Sequence, residues 1–421
     1  MNGEKKIKKK GRYNVKIPIT KPYFSEDEYN EIKETLDSGW LVQGPKVKKF
    51  EELFSKYTGV KYAKATSSCT TALHLGLTVL GVEKGQDVIV PSFTYIATPN
   101  SVEYTKATPI FCDIDLKTYN LDPRKVEEII EKNYIFKNNN LVNKKTGNIL
   151  TTILTVHQFG LASDIIELNK IATKYNLKIL EDGACAVGAR INNVHVGNFG
   201  NMCAFSFHPR KSITTGEGGM IVTNNLKEAE LIEALRSHGA TLSDLQRHLK
   251  KGYLLPEFNL LGYNYRMTDI QGAIGIHQMK KLDLILNRKK EIAKIYLEEL
   301  KDLKGFVLPF VPKNYEHGWQ SFVCRIDNDV LKMSIEEASE KRNKLMGELE
   351  DLGIATRQGT HASHTLGYYK NKYKLNDYDF INSYKADKLT ISLPMYFEMT
   401  EYELSYVITN LKKGWKKIFS F

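Results

Sequence analysis

Residues Phe205–Met220 read FSFHPRKSITTGEGGM. An apolar run stops at Ser206, a basic residue follows at Lys211, and the turn Thr214-Thr215-Gly216-Glu217-Gly218-Gly219 closes the segment. Small and polar neighbours on both sides place Lys211 on a tight loop. A lysine held and desolvated in this way can lose its proton and attack carbonyls. Upstream, Leu177–Ala189 reads LKILEDGACAVGA, a strand-like run that ends in the acid Asp182. Working outward, short β-rich runs alternate with segments of helical spacing: YAKATSS then CTTALHLGLTVLG, DVIVPS then ATPNSVEYTK, ILTTILTVHQFG then SDIIELNKIATKYN. That alternation predicts an α/β fold with a mostly parallel central sheet.

The flanks read differently. Residues 1–20 are expected to be a tail, 21–270 a large domain, and 271–421 a smaller α+β C-terminal domain with long helices. Lys137–Asn148, rich in Asn and Lys, reads as a surface loop. The 421 residues are 42% hydrophobic and 26% charged, an ordinary globular balance with room for a large core. No apolar run reaches the roughly 18 residues of a membrane span, and the basic N-terminus has no apolar segment behind it, so the expectation is a cytoplasmic protein. The net charge of +11 would suggest nucleic acid, but residues 1–16 carry a net +6 and Lys412, Lys413, Lys416 and Lys417 add four more. The charge is expected to lie in two tails, the body is nearly neutral, and no nucleic-acid partner is expected. Five cysteines without CxxC spacing predict reduced thiols, and no set of metal-ligand spacing is present, so no metal is expected.

Several candidate groups fall at strand ends, where open α/β sheets bind ligands. Ser68, Cys69 and Thr70 open a helix and can cradle an anion with their free N–H groups; simple N-capping is the alternative. In PSFTYIATPN, Tyr95 or Phe93 could lie over a planar ring, although an aromatic there also suits a core. Asp182 can hold a protonated ring nitrogen. Ser206 can add to the anion site, and Lys211 can form a Schiff base. Together these are the parts of a pyridoxal 5'-phosphate (PLP) site. His208 is either a packed imidazole or a polar group beside the reacting atoms. Neither GxGxxG nor GxxxxGK[ST] occurs, which leaves dinucleotide and nucleoside-triphosphate folds without a motif.

The segments EDGACAVGA, GNFGNMCAFSFHPRKSITTGEGGM, SGWLVQGPKVKKFEE, SSCTTALHL, PSFTYIATPNSV, LGYNYRMTDIQGAIG and ATRQGTHASHTLGYY resemble the DegT/StrS sugar-nucleotide aminotransferases, from about Ile17 to Met399. The resemblance implies PLP-dependent transferase fold type I, the aspartate aminotransferase-like fold. It implies that Lys211 is the Schiff-base lysine and proton shuttle, that Asp182 holds the pyridine nitrogen, and that Tyr95 stacks on the ring. Ser68, Cys69, Thr70 and Ser206 would bind the phosphate. Asn264 would reach the partner subunit's cofactor, with Arg266 beside it, in a homodimer with shared active sites. His361 and His364 in GTHASH, and His317 in HGWQ, resemble segments near the sugar nucleotide, and His208, His317, His361 and Arg266 form the expected substrate set. GTHASHTLGYY resembles perosamine-synthase-like members, whereas FHPRK around the lysine departs from them.

The implied reaction takes an amino group from L-glutamate, releasing 2-oxoglutarate and leaving the pyridoxamine form of the cofactor. It then aminates a nucleotide-linked 4-keto-6-deoxy sugar at C4, with GDP as the first reading of the nucleotide, for a surface glycan such as a lipopolysaccharide. C3 amination and UDP- or dTDP-linked sugars are the near alternatives. Family members that are sugar dehydratases carry His in place of this lysine, so Lys211 favours transamination. A non-catalytic protein of the same fold would not need an intact Lys/Asp/Ser set. Desolvation and a positive cofactor nearby are expected to keep Lys211 neutral when it acts as base.

Overall fold

The computed structural model describes residues 16–240 and 257–419. Its centre is a sheet whose main path runs, edge to edge, Tyr62–Thr66, Gly219–Thr223, Met202–Ser206, Lys178–Asp182, Ile149–Val156, Gln86–Pro91 and Thr108–Cys112. Only Gly219–Thr223 runs against the others. The strands read as near-continuous apolar runs because both faces are covered, as parallel sheets require. One face carries Ile89, Ile153, Ile179, Phe205 and Val222. The other carries Val88, Val90, Leu154, Leu180 and Ile221 under the helix Cys69–Val79. This is the expected mostly parallel α/β architecture.

The helices begin and end where their caps dictate. Ser25 with Glu28, Thr268 with Gln271, and Thr400 with Glu403 form reciprocal capping boxes at the starts of Glu26–Ser38, Asp269–Leu300 and Glu401–Ile418. Gly39 and Gly59, at φ 71° and 77°, stop Glu26–Ser38 and Pro45–Thr58 in the left-handed conformation. Asp269 also accepts from the N–H groups of Gly44, Lys46 and Val47, which ties the long helix to the start of Pro45–Thr58.

A second core forms around the small antiparallel sheet Phe306–Val307, Phe322–Ile326 and Thr390–Leu393, packed by Ile335–Asp351 and Glu401–Ile418. The Asp269–Leu300 helix belongs to both cores. Ile276, Met279, Leu282 and Ile285 enter the large one, and Ile292, Ala293, Tyr296 and Leu300 the small one.

Three readings of the sequence need adjustment. The stretch taken as a surface loop, Lys137–Asn148, instead holds the turn and second strand of a hairpin, Tyr134–Lys137 with Asn140–Asn143, that extends the sheet beside Ile149–Val156. Asn138 and Asn139 both take positive φ (49° and 65°), the two-residue turn that suits the twist of a hairpin. Buried Asp87 anchors it, accepting from Tyr134 Oη (2.7 Å), Asn143 Nδ2 (2.9 Å) and Asn148 Nδ2 (2.8 Å). Second, Ile17 and Ile19 are built into the structure. Ile17 is fully buried and bonds to the backbone at Gly353 and Ala355, and Met395 N–H donates to Ile19 O at 3.0 Å. The basic run before Lys16 lies outside the described residues. Third, the C-terminal lysines lie on the helix Glu401–Ile418, not on a tail, with Lys412 and Lys417 paired to Glu299 and Glu348. Among the described residues no helix is long and apolar enough to cross a membrane, and the cysteines are free thiols.

Candidate active site

At the carboxyl edge of the sheet lies a cavity of about 580 Å³. Ser68, Cys69, Thr70, Tyr95, Asp182, Ser206, His208 and Lys211 all line it. The sheet register explains why they meet. Thr66, Gly219 and Ser206 stand opposite one another on three adjacent strands, which brings the start of the Cys69–Val79 helix beside Ser206. Gly219 permits this approach: a Cβ there would sit 2.4 Å from the Ser68 carbonyl. Ser68 caps the helix by accepting from Thr71 N–H at 3.2 Å, so the N–H groups of Cys69 and Thr70 have no intrahelical acceptor and open towards the cavity. A helix N-terminus with free donors and flanking hydroxyls is a phosphate site.

Asp182 closes its strand with a buried carboxylate. Thr98 Oγ1 donates to Oδ2 at 2.9 Å and Ala184 N–H to Oδ1 at 3.1 Å. Burial raises its pKa, and these donors and nearby Lys211 only partly offset the shift. Behind it, Glu181 accepts from His157 Nε2 at 2.8 Å and from the N–H groups of Gly197 and Gly200. His157 Nδ1 in turn accepts from Ser163 N–H at 2.9 Å. His157, Glu181 and Cys203 lie close enough to hold a metal ion, but the His and Glu are fully engaged with protein donors and acceptors.

The lysine loop is held from below. Phe207 is buried against Phe50 and Phe54, with ring centroids 4.9 and 5.6 Å away. Thr214 Oγ1 and Thr215 N–H both donate to Phe207 O, and Lys211 N–H donates to His208 O. Lys211 Nζ donates to Cys185 Sγ at 3.2 Å. Burial lowers the Lys211 pKa, but Cys185, Cys69 and Asp182 together outweigh it, so the protein alone holds this lysine above its ordinary value. Desolvation by itself therefore does not neutralise Lys211; the expectation of a neutral amine also called on a positive cofactor beside it.

Tyr95 is 67% exposed at the rim, and the neighbouring Phe93 is fully buried in the core. His208 is half-buried, and burial lowers its pKa. His361 pairs with Thr94 and so lies next to Tyr95; Gly359 and Thr360, not His361, line the cavity. His364 is fully buried, joined to Ser92 Oγ and to Asp377 O. The structure does not bring His317 into this cavity: its ring stacks on Trp319 at 4.1 Å and Nδ1 accepts from Trp319 N–H at 2.8 Å. Asn264 is exposed and bridged through its backbone to Ser237, while Arg266 Nη1 donates to Ser237 Oγ at 3.2 Å; both lie off the cavity wall.

The structure adds residues the sequence reading did not single out. Thr98, Gln158, Cys185, Arg210, Gln320, Arg357 and Gln358 also line the cavity. Thr98 sits one helical turn beyond the strand-end loop that carries Tyr95, and Cys185 lies three residues after Asp182, so both were visible as neighbours of called residues. Gln320 and Arg357 come from distant segments with no local motif. The donor set fits PLP: an N-terminal cradle for a phosphate, a buried carboxylate for a ring nitrogen, and an amine within the same cavity.

The model of the DegT/DnrJ/EryC1/StrS aminotransferase family matches residues 22–412. Protein MJ1066 of Methanocaldococcus jannaschii is 37% identical, over 94% of this chain and 97% of its own length. The spore coat polysaccharide biosynthesis protein SpsC of Bacillus subtilis is 33% identical, over 93% of this chain and 95% of its own. The crystal structure of S. venezuelae DesV in complex with a ketimine intermediate superposes with a TM-score of 0.80 at 26% identity, covering 95% of this chain and 99% of that one. The chain therefore belongs to the DegT/DnrJ/EryC1/StrS aminotransferase family, a PLP-dependent aminotransferase of fold type I.

Proposed function

We propose that this enzyme moves an amino group from L-glutamate to C4 of a GDP-linked 4-keto-6-deoxy sugar, as a cytoplasmic homodimer with shared active sites, in the making of a surface glycan. The observation that carries the reading is the convergence of Lys211, Asp182, Tyr95 and the Cys69–Val79 helix start on one cavity. SpsC, whose name places it in spore coat polysaccharide synthesis, supports the glycan context.

Bound PLP supplies an electron sink at the carbon bearing the amino group. The roles of the protein are then as follows. The Cys69 and Thr70 N–H groups, with the Ser68 and Ser206 hydroxyls, hold the phosphate. Asp182, kept ionised by Thr98 and Ala184, keeps the ring nitrogen protonated. Tyr95 covers the ring. Lys211 Nζ would hold the cofactor at rest and, when free, would carry the proton to and from the substrate carbon. His208, on the cavity wall, and His361, beside Tyr95, flank the sugar side. Asn264, exposed, and Arg266, half-buried, both off the wall of their own cavity, serve the partner subunit's site. His317 acts on substrate only through the Trp319–Gln320 segment it orders.

The test is a panel of keto-sugar nucleotides (GDP-, UDP- and dTDP-linked, 3-keto and 4-keto) incubated with glutamate and read by the mass and regiochemistry of the product. Preferred amination of the GDP-linked 4-keto sugar is expected. Loss of a hydroxyl without gain of nitrogen would replace transamination with dehydration. Preferred amination at C3, or of a UDP- or dTDP-linked sugar, would replace the substrate named here.

A further inference from the structure

Lys289, in the second half of the Asp269–Leu300 helix, is only 2% exposed. Its Nζ donates to Ser212 Oγ and to Gln320 O, each at 3.2 Å, and among the described residues it has no carboxylate partner. Lysine is rarely buried unless paired, because an ammonium facing only neutral oxygens loses its hydration without a compensating charge. An apolar side chain of similar volume would fill the same space without that cost. The position also links two parts of the site. Ser212 directly follows Lys211, and Gln320 lines the cavity and donates from Nε2 to Arg210 O at 2.9 Å.

We propose that Lys289 is a positioning residue for the reaction: its ammonium clamps the lysine loop to the 317–321 segment and sets a positive charge behind Lys211, easing loss of the Lys211 proton. The proposal rests on the reading of Lys211 as the reactive amine. The titratable groups facing Lys289 are Cys185, Lys211 and His317. Arg288, its neighbour on the helix, turns away to Met399 O at 2.8 Å. Those facing Lys211 are Cys185, Cys69 and Asp182, with His208 on the same loop. The Asp182 carboxylate and the Cys185 sulfur that accepts from Nζ favour the protonated Lys211, and Lys289 opposes them. Burial, with Lys211 adding to it, lowers the Lys289 pKa to about 8, so its charge persists at neutral pH and fades above that value.

Wild type, Lys289→Met and Lys289→Arg are compared by two readouts. The first is the pH midpoint for labelling of Lys211 by an amine-reactive reagent in cofactor-free protein, mapped by peptide mass. The second is the pH midpoint of the visible absorbance after loading with PLP. Arginine, charged throughout, should lower the labelling midpoint by about half a pH unit or more, whereas methionine should leave it in place, because Lys289 is already neutral where the cofactor-free Lys211 titrates; in the PLP-loaded protein, removing the charge should raise the absorbance midpoint by a similar amount. An unchanged absorbance midpoint in folded Lys289→Met overturns the proposal. If that variant does not fold, Lys289→Arg decides: above pH ~8 it alone keeps the charge, so a Lys211 labelling midpoint no lower than wild type overturns the proposal. Wild-type protein that binds no PLP at Lys211 counts against the proposed function, while the labelling readout still judges Lys289.

Discussion

Thr98 Oγ1 donates to Asp182 Oδ2 at 2.9 Å, with both residues buried at the floor of the cavity. Because burial holds the Asp182 pKa above its ordinary value, the ionised form depends on the donors it has. Thr98→Val removes one of them and should raise that pKa further. The acid limb of the kcat profile should then move to higher pH, with kcat down about tenfold, the size of one hydrogen bond to a charge. Asp182→Asn should cost about a hundredfold or more at every pH, since no anion is left to hold the ring nitrogen. A Thr98→Val enzyme with an unmoved acid limb would remove Thr98 from the mechanism.

Lys211→Ala should fold, because the loop is anchored by Phe207, Thr214 and Thr215 and not by the amine. Turnover should fall by about a thousandfold or more. Borohydride treatment of the PLP-loaded variant should leave no cofactor mass on the peptide spanning residue 211, whereas wild type is trapped there. Substantial turnover in this variant would take Lys211 out of the central role.

Gly219→Ala should be more damaging than its size suggests. The added Cβ meets the Ser68 carbonyl at 2.4 Å and Cys69 N at 2.6 Å, backbone atoms that cannot step aside without moving the phosphate cradle. A stability loss of about 1–3 kcal/mol is expected from overpacking. PLP titration should show weaker binding as well. Gly347→Ala is the control: it lies in the Ile335–Asp351 helix with nothing within 4 Å of its Cβ, and should gain about 1 kcal/mol.

Acid should destabilise the protein through two imidazoles, buried His195 and half-buried His317. His195 accepts from Gly188 N–H at Nε2 (2.9 Å) and donates from Nδ1 to Val196 O, so protonation would break the first bond. Burial lowers its pKa from 6.5 to about 4. Burial, with Lys289 adding to it, lowers that of His317 from 6.5 to about 3. Both folded values are depressed, so this stability is present above pH 6.5 and is lost as pH falls towards 4 and 3. The unfolded chain takes up these protons first, at up to about 1.4 kcal/mol per pH unit for each group. Denaturant midpoints at pH 7.5 and 5 check the effect, and His195→Gln should shrink the difference. Identical differences in wild type and variant would exclude His195.

The fold was largely legible because alternation of apolar strands with helical spacing is a local signal, and capping residues such as Ser25, Thr268 and Thr400 mark helix starts within a few positions. The hairpin at residues 134–143 was missed for the opposite reason. The Asn/Lys-rich run through its turn hides it, and its anchor Asp87 lies about fifty residues away in sequence. The assignment of Ile17 and Ile19 to a tail failed similarly, because their partners Ile354 and Met395 lie at the far end of the chain.

Within the cavity, the groups readable from the amino-acid order are those that end a strand or open a helix: Ser68, Cys69, Thr70, Asp182, Ser206 and Lys211. A parallel sheet delivers its strand ends to one edge, so the order of these residues in the chain already implies that they meet. Whether each remaining polar residue faces that edge was a matter of tertiary packing alone. Gln320 and Arg357 arrive from the segments around the small sheet, His317 turns onto Trp319 away from the cavity, and Lys289 carries a buried charge to the back of the lysine loop. None of these has a local signature, because what decides them is which surfaces close around the sheet edge and how much water that closure removes.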